Sequence, residues 1–204
     1  MPAYKLTYFE ASVSRGEECR LALHLAEVDF VDNRIKGAQW SDLKPKTPFG
    51  SLPVLEVEGK GQLGQSNAIL CFVGRAHGLH PSDPWEAAQH EAILAAVEEL
   101  RDRIGPTLTM KDPDEKRRAR EELARGYMQS WGASVEKQLG DGPYVAGERI
   151  NVADIKLYVA GNWFAKGTLD HVPPDVFGKY PRLTRLVQVV KQHPRVADWQ
   201  SRHP

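Results

Sequence analysis

The segment Ser51-Leu52-Pro53-Val54-Leu55-Glu56-Val57 constrains this chain more than any other. Pro53 has no N–H to donate, so it belongs at the first residue or the edge of a strand. The residue before a proline is pushed to extended geometry. Leu52 therefore keeps its own N–H and C=O free to pair outward, as a further strand would pair, with a peptide-like ligand. Gln65-Ser66 then opens the next apolar run, and Ser66 falls where a helix leaves its first N–H groups unpaired, a ready anion site. An extended backbone edge beside an anion site suits a small peptide with a free carboxylate.

The stretches around this segment read as a small α/β unit. Tyr4 to Phe9 alternates and is β-rich, a strand. Ser14 or Ser12 can cap a helix over Arg15 to Ala26, on which Cys19, Leu21, Ala22, Leu23 and Leu25 form the apolar face. Val28 to Ile35 is a second strand. Leu52–Val57 and Gly61–Leu63 flank the hairpin signal Glu58-Gly59-Lys60. Ser66 to Ala76 is helical, with Gly78 as its C-terminal cap. The order β-α-β, irregular, β-β-α predicts one domain over residues 1–79.

Leu79 to Pro84 reads as a linker, and beyond it the pattern turns helical. Helices are predicted over Trp85 to Ile104, Pro113 to Leu139, Asn151 to about Gly167, and Pro181 to His193. Residues 85–204 form the second, all-helical domain. Lys+Arg and Asp+Glu both count 27, which leaves no electrostatic footprint for nucleic acid or an anionic membrane. No apolar run approaches the roughly 18 residues of a membrane span. Two cysteines, Cys19 and Cys71, lack metal-ligand spacing and are too few for a disulfide framework, so no metal is expected. A cytoplasmic location is expected.

Several stretches together resemble the cytosolic glutathione transferases over essentially the whole chain. They are Met1-Pro2-Ala3-Tyr4-Lys5-Leu6-Thr7-Tyr8-Phe9, Gln39-Trp40 with Lys44, Pro48 through Val57, and Gln65-Ser66-Asn67-Ala68-Ile69. The likeness is closest to the sigma class, the group that includes haematopoietic-type prostaglandin D synthases. It implies a thioredoxin-like α/β N-terminal domain followed by an all-α C-terminal domain, glutathione as co-substrate, a small hydrophobic electrophile as second substrate, and a homodimer.

The resemblance also implies roles for individual residues. Tyr8 would donate its phenolic O–H to the glutathione sulfur and favour the thiolate. An ordinary thiol near pKa 8.5 is mostly protonated at neutral pH. Arg15 would support that pair of atoms with its fixed charge. The loop Glu10-Ala11-Ser12-Val13-Ser14 before Arg15 is one residue longer than the family pattern. Some classes use a serine in this loop, so Ser12 and Ser14 are alternative hydroxyls. Trp40 and Lys44 would donate to the glycine carboxylate. Leu52 would pair through its backbone with the cysteinyl unit, beside a cis Pro53. Gln65 and Ser66 would hold the γ-glutamyl end, and Glu99, from helix 85–104 of a second subunit, the glutathione amino group. Asp154, in Asn151-Val152-Ala153-Asp154, would serve a buried helix-start network. The electrophile pocket would involve residues near Arg103, Thr107, Met110, Asn162 and Trp163. No tryptophan occurs in Arg103-Ile104-Gly105-Pro106-Thr107, which speaks against prostaglandin isomerisation. A conjugating enzyme is the expected function. A ligand-carrying or scaffolding relative that keeps the fold without turnover is the alternative.

Overall fold

In the computed structural model, residues 3–203 are described, so Met1 and Pro2 of the first resembling stretch lie outside the described residues. The chain divides into two compact units, residues 1–87 together with 192–204, and residues 88–191.

The first unit is built on four strands, β1 (Tyr4–Phe9), β2 (Phe30–Ile35), β3 (Val54–Val57) and β4 (Gly61–Gly64), in the order β2-β1-β3-β4. β1 and β2 run parallel, joined by the crossover helix α1 (Ser14–Leu25); β3 is antiparallel to β1 and β4 to β3. A parallel pair needs such a crossover, and the β3–β4 pair needs only the turn at Glu58-Gly59-Lys60. Leu6, Leu55, Leu21, Leu23, Ile69 and Leu70 are fully buried beneath the sheet and between α1 and α3 (Ser66–His77). Each such side chain contributes about 1.5–3 kcal/mol. Gly78, at φ 74°, ends α3 as expected.

Two elements of this unit are not evident in the sequence pattern. α2 (Gly37–Leu43) is short and has no buried residue, so no apolar stripe announces it. α9 (Pro194–Arg202) follows α8 (Pro181–Gln192) after a single residue. In the sequence Pro194 marks an end. It sits instead at the first turn of a new helix, where its missing N–H costs nothing. α9 packs on α1 and groups with the first unit.

The second unit is helical. It takes in most of α4 (Pro84–Leu108), then α5 (Pro113–Arg125), α6 (Tyr127–Gln138), α7 (Val152–Ala165) and nearly all of α8. The single helix expected over 113–139 is two, broken at Gly126 (φ −103°, ψ −93°). The Gln129 side-chain amide donates to the Ala124 carbonyl (2.7 Å), pairing a group that the break leaves without its helical partner. Partly buried polar anchors tie these helices together: the Trp131 indole N–H donates to the Ala96 carbonyl (2.7 Å), and Glu136 accepts from the Arg182 and Leu183 amides (both 2.9 Å). No helix among the described residues is long and apolar enough to cross a membrane.

Candidate functional site

Strand register gathers the expected ligand residues of the first unit at one end of the sheet. Phe9 pairs with Ile35, Thr7 with Val54, and Val54 with Gly64. The segments just beyond these pairs therefore share that end: Tyr8 and the loop to Arg15, the stretch to Trp40 and Lys44, Leu52-Pro53, and Gln65-Ser66. The N-termini of α1, α2 and α3 open there too, each with a partial positive charge. That end favours an anionic ligand.

Tyr8 is half-buried, and its ring packs closely against Gly16 in the first turn of α1. A Cβ on Gly16 would fall 2.0 Å from Tyr8 Cδ1, so only glycine permits this approach. Phe9 meets the Tyr8 ring edge-on (5.6 Å), and Trp40 meets Phe9 in the same way (6.0 Å). Arg20 lies over the Tyr8 ring, 5.7 Å from its centre. The two positions that seat Tyr8, Gly16 and Arg20, were not read from the sequence. The one local signal is the Glu17–Arg20 pair at i, i+3, set among the other charged residues Arg15 and Glu18 of a mixed helix.

Arg20 is fully buried, and every group it needs is supplied. Its Nε donates to Asp32 Oδ1 (2.9 Å), Nη1 to the Ala11 carbonyl (3.0 Å) and Nη2 to the Phe9 carbonyl (2.8 Å). Arg34 uses the other Asp32 oxygen (2.7 Å) and donates to the Glu10 carbonyl (2.7 Å) and Ser12 Oγ (3.1 Å). Two guanidiniums on one carboxylate thus pin the long loop after Tyr8, residue by residue. Buried charges persist only when paired in this manner.

This loop corrects the expected capping. Val13, not Ser12 or Ser14, is the N-cap of α1, and no side chain caps the helix. Ser14 is the first helical residue and is turned to φ 56°, while Ser12 Oγ accepts from Arg34. The arginines hold the loop carbonyls, so the serines are not needed as caps. Arg15 follows in the first turn of α1 and is half-buried.

Leu52–Pro53 is cis, and Pro53 is buried immediately before β3. Lys44 is exposed, and its Cε would lie 3.7 Å from a Cβ on Gly50, which places its stem beside the loop that leads to Leu52. Gln65 is exposed and held at φ 68°, a conformation that costs a non-glycine residue of order 1–3 kcal/mol and persists chiefly at ligand clamps. Ser66 is buried at the first position of α3. A strained residue, a buried hydroxyl and three helix N-termini at one sheet end fit a small peptide with two carboxylates and a thiolate.

The second unit holds the remaining candidates. Of the pair on α4, Glu98 turns inward, bonded to the buried Lys156 and to Arg101 (2.8 Å). Glu99 is exposed and lines a cavity of about 470 Å³ between α4 and α6, with Tyr127 and Ser130. A second cavity, about 560 Å³, is lined by Arg103, Thr107, Met110 and Tyr127 among others. Asn162 and Trp163, expected near the same space, are not among its lining residues; they lie on α7, where Trp163 packs on Phe164 (5.2 Å). The Thr107 hydroxyl is committed to structure: it donates to the Ile104 carbonyl (2.8 Å) and accepts from Arg120 Nε (3.0 Å).

Comparison with known proteins decides the family. Residues 4–75 match the N-terminal domain of glutathione S-transferases, and residues 98–203 match their C-terminal domain. The chain belongs to the glutathione S-transferase family. It is 33% identical to glutathione S-transferase 1 of Ascaris suum over 100% of this chain and 98% of that one. It is 32% identical to the hematopoietic prostaglandin D synthase of Gallus gallus, with the same shares covered. The solved structure of prostaglandin synthase D from Nilaparvata lugens superposes with a TM-score of 0.87 at 29% identity, covering 100% of this chain and 99% of that one. A thioredoxin-like sheet domain with an all-helical partner is the glutathione S-transferase fold, and the relatives point to its sigma-like branch.

Proposed function

We propose that this glutathione S-transferase activates the glutathione thiol as a thiolate through the Tyr8 hydroxyl and directs it at hydrophobic electrophiles. One observation carries the reading: the Tyr8 ring is seated on the Gly16 backbone at the sheet end where Leu52, Gln65 and Ser66 converge. One charge-assisted hydrogen bond to sulfur, about 1.5–3 kcal/mol, lowers a thiol pKa by roughly 1–2 units. That brings it from mostly protonated to substantially ionised at neutral pH. Arg15 adds a fixed positive charge beside the thiolate. Trp40 and Lys44 anchor the glycine carboxylate, the Leu52 backbone pairs with the cysteinyl unit beside Pro53, and Gln65 and Ser66 hold the γ-glutamyl carboxylate. Residues 1–79 form the glutathione-binding part, the helical part within 85–204 supplies the electrophile pocket, and the protein works in the cytoplasm. Peroxide reduction and isomerisation need the same thiolate and are secondary activities in this reading.

With 1-chloro-2,4-dinitrobenzene the sulfur forms a bond to the ring carbon, chloride leaves with the electron pair of the broken C–Cl bond, and the thiol proton passes to solvent. Glutathione-dependent turnover of this substrate, beside retention on glutathione resin, is the test. Retention together with turnover supports the enzyme. Retention without turnover of any electrophile identifies a carrier instead.

The same reading includes a two-fold homodimer, because Glu99 of the partner subunit would complete the site at the glutathione amino group. Sedimentation at micromolar concentration should give about twice the 22.8 kDa chain mass. Glu99→Ala should raise the glutathione KM several-fold without dissociating the dimer, since an exposed single charge contributes about 1 kcal/mol. A monomer with full glutathione affinity would refute the arrangement.

A further inference from the structure

The C-terminal helix reaches the turn of α1 that seats Tyr8. Glu17 follows Gly16 directly and is buried, and its Oε1 accepts the Trp199 indole N–H at 2.7 Å. Trp199 is itself locked, stacked on His203 (3.9 Å between ring centres) and on Phe30 (6.1 Å), with His24 against it (5.2 Å). The other Glu17 oxygen, Oε2, is buried, makes no hydrogen bond and faces Arg20 Nη1 at 3.6 Å. Arg20 lies over the Tyr8 ring and donates to the Phe9 and Ala11 carbonyls. A continuous set of buried contacts therefore runs from Trp199 through Glu17 and Arg20 to the tyrosine and its loop.

We propose that Trp199 is a positioning residue for thiol activation, holding Glu17 so that Arg20 keeps Tyr8 and the loop after it in place. This rests on Tyr8 as the activating hydroxyl. The role is electrostatic as well as steric. Burial pushes the Glu17 carboxyl above its ordinary range, and the indole N–H is the largest influence drawing it back, followed by the charges of Arg20 and Arg34. Asp32 on β2 holds both arginines, and on α9 Asp198 pairs with His24 (3.2 Å) and with Arg202 rather than with Glu17. Without the indole N–H, Glu17 takes up a proton at higher pH, Arg20 loses its nearest partner on α1, and the Tyr8 seat loosens. The sign is fixed: a carboxyl with a raised folded pKa is deprotonated only at the upper end of its range, so the defect grows as pH falls.

The test is Trp199→Phe, which keeps an aromatic ring but removes the N–H, with Glu17→Gln, which keeps the acceptor but removes the charge. Each variant is checked for folding by circular dichroism and thermal melting. For both, kcat should fall about five- to ten-fold, the equivalent of one lost hydrogen bond, while the glutathione KM stays within two-fold. The acid limb of the Trp199→Phe pH–rate profile should move up by about one unit. Asp198→Asn, which loosens the same helix away from Glu17, should leave kcat unchanged. In a Tyr8→Phe background, Trp199→Phe should cost nothing further. If Trp199→Phe leaves kcat and the acid limb unmoved while Tyr8→Phe is impaired, the positioning role is wrong. It is equally wrong if Asp198→Asn matches the loss in Trp199→Phe, or if both variants change only KM or thermal stability. Full activity in Tyr8→Phe would instead overturn the choice of hydroxyl and, with it, this role for Trp199.

Discussion

Tyr8→Phe should keep glutathione affinity within a few-fold and lower kcat at least ten-fold, the equivalent of roughly 1.4 kcal/mol of transition-state stabilisation. The phenylalanine ring fills the same seat on Gly16 and leaves the Arg20 guanidinium over it, so the change deletes an O–H and little else. Peptide anchoring is assigned to Trp40, Lys44, Leu52, Gln65 and Ser66, none of which is altered. A loss confined to kcat is therefore the signature of a group that addresses sulfur. The ultraviolet absorbance of the bound thiolate gives a second readout: its titration midpoint should rise in Tyr8→Phe by about one to two units. Ser14→Ala and Ser12→Ala are the controls. Ser14 stands at φ 56° in the first turn of α1 and Ser12 accepts from Arg34, so replacing either should change turnover less than two-fold. An inactive Ser14→Ala beside a fully active Tyr8→Phe would transfer the role to the serine.

The backbone at the sheet end where β1, β3 and α3 meet was legible because it is written in local chemistry. A proline entering a strand, a Gln-Ser pair opening a helix and a glycine closing it each have one favoured backbone geometry, and the structure has that geometry at Pro53, Ser66 and Gly78. The parts that were not legible depend on partners distant in sequence. Arg20 looks like one charge on a mixed helix until Asp32 and the carbonyls of Phe9 and Ala11 come to it. Glu17 and Trp199 lie 182 positions apart, and nothing in either segment announces the other. Gly126 and Pro194 mislead for a related reason: a helix break and a helix start depend on which carbonyl or amide finds a substitute partner, and that is decided in three dimensions. The capping box at Asn151 is the opposite case, since all its partners except the Val145 amide fall within four residues.

That capping box governs the other large effect, on stability. Asp154 is completely buried; its Oδ2 accepts from the Asn151 amide (2.9 Å) and its Oδ1 from the Val145 amide (2.7 Å), while Asn151 Oδ1 accepts from the Ala153 amide (2.8 Å). Asp154→Ala leaves the Asn151 and Val145 amides without the acceptor they have in the fold. It should destabilise the protein by about 3 kcal/mol, a fall of roughly 6–12 °C in Tm for a chain of this size. Asp154→Asn keeps an acceptor for one of the two amides and should lose about half as much. The two variants also separate packing from charge. Burial raises the Asp154 carboxyl to about 7, against the opposing pull of the Val145 and Asn151 amides. Its folded value thus lies above the unfolded one, and between the two the folded state holds the extra proton. The stability this group contributes is complete below about pH 4, declines as pH rises, and is lost above about pH 7. Two half-buried histidines, His24 and His193, are lowered by burial and act in the opposite direction, so the wild-type profile alone is not diagnostic. The difference between wild type and Asp154→Asn is. Urea unfolding at pH 5 and pH 8 should show the wild type losing more stability than Asp154→Asn as pH rises, and the gap between them narrowing. A gap that stays constant from pH 5 to pH 8 would mean that the two amides outweigh burial and that Asp154 is a carboxylate throughout.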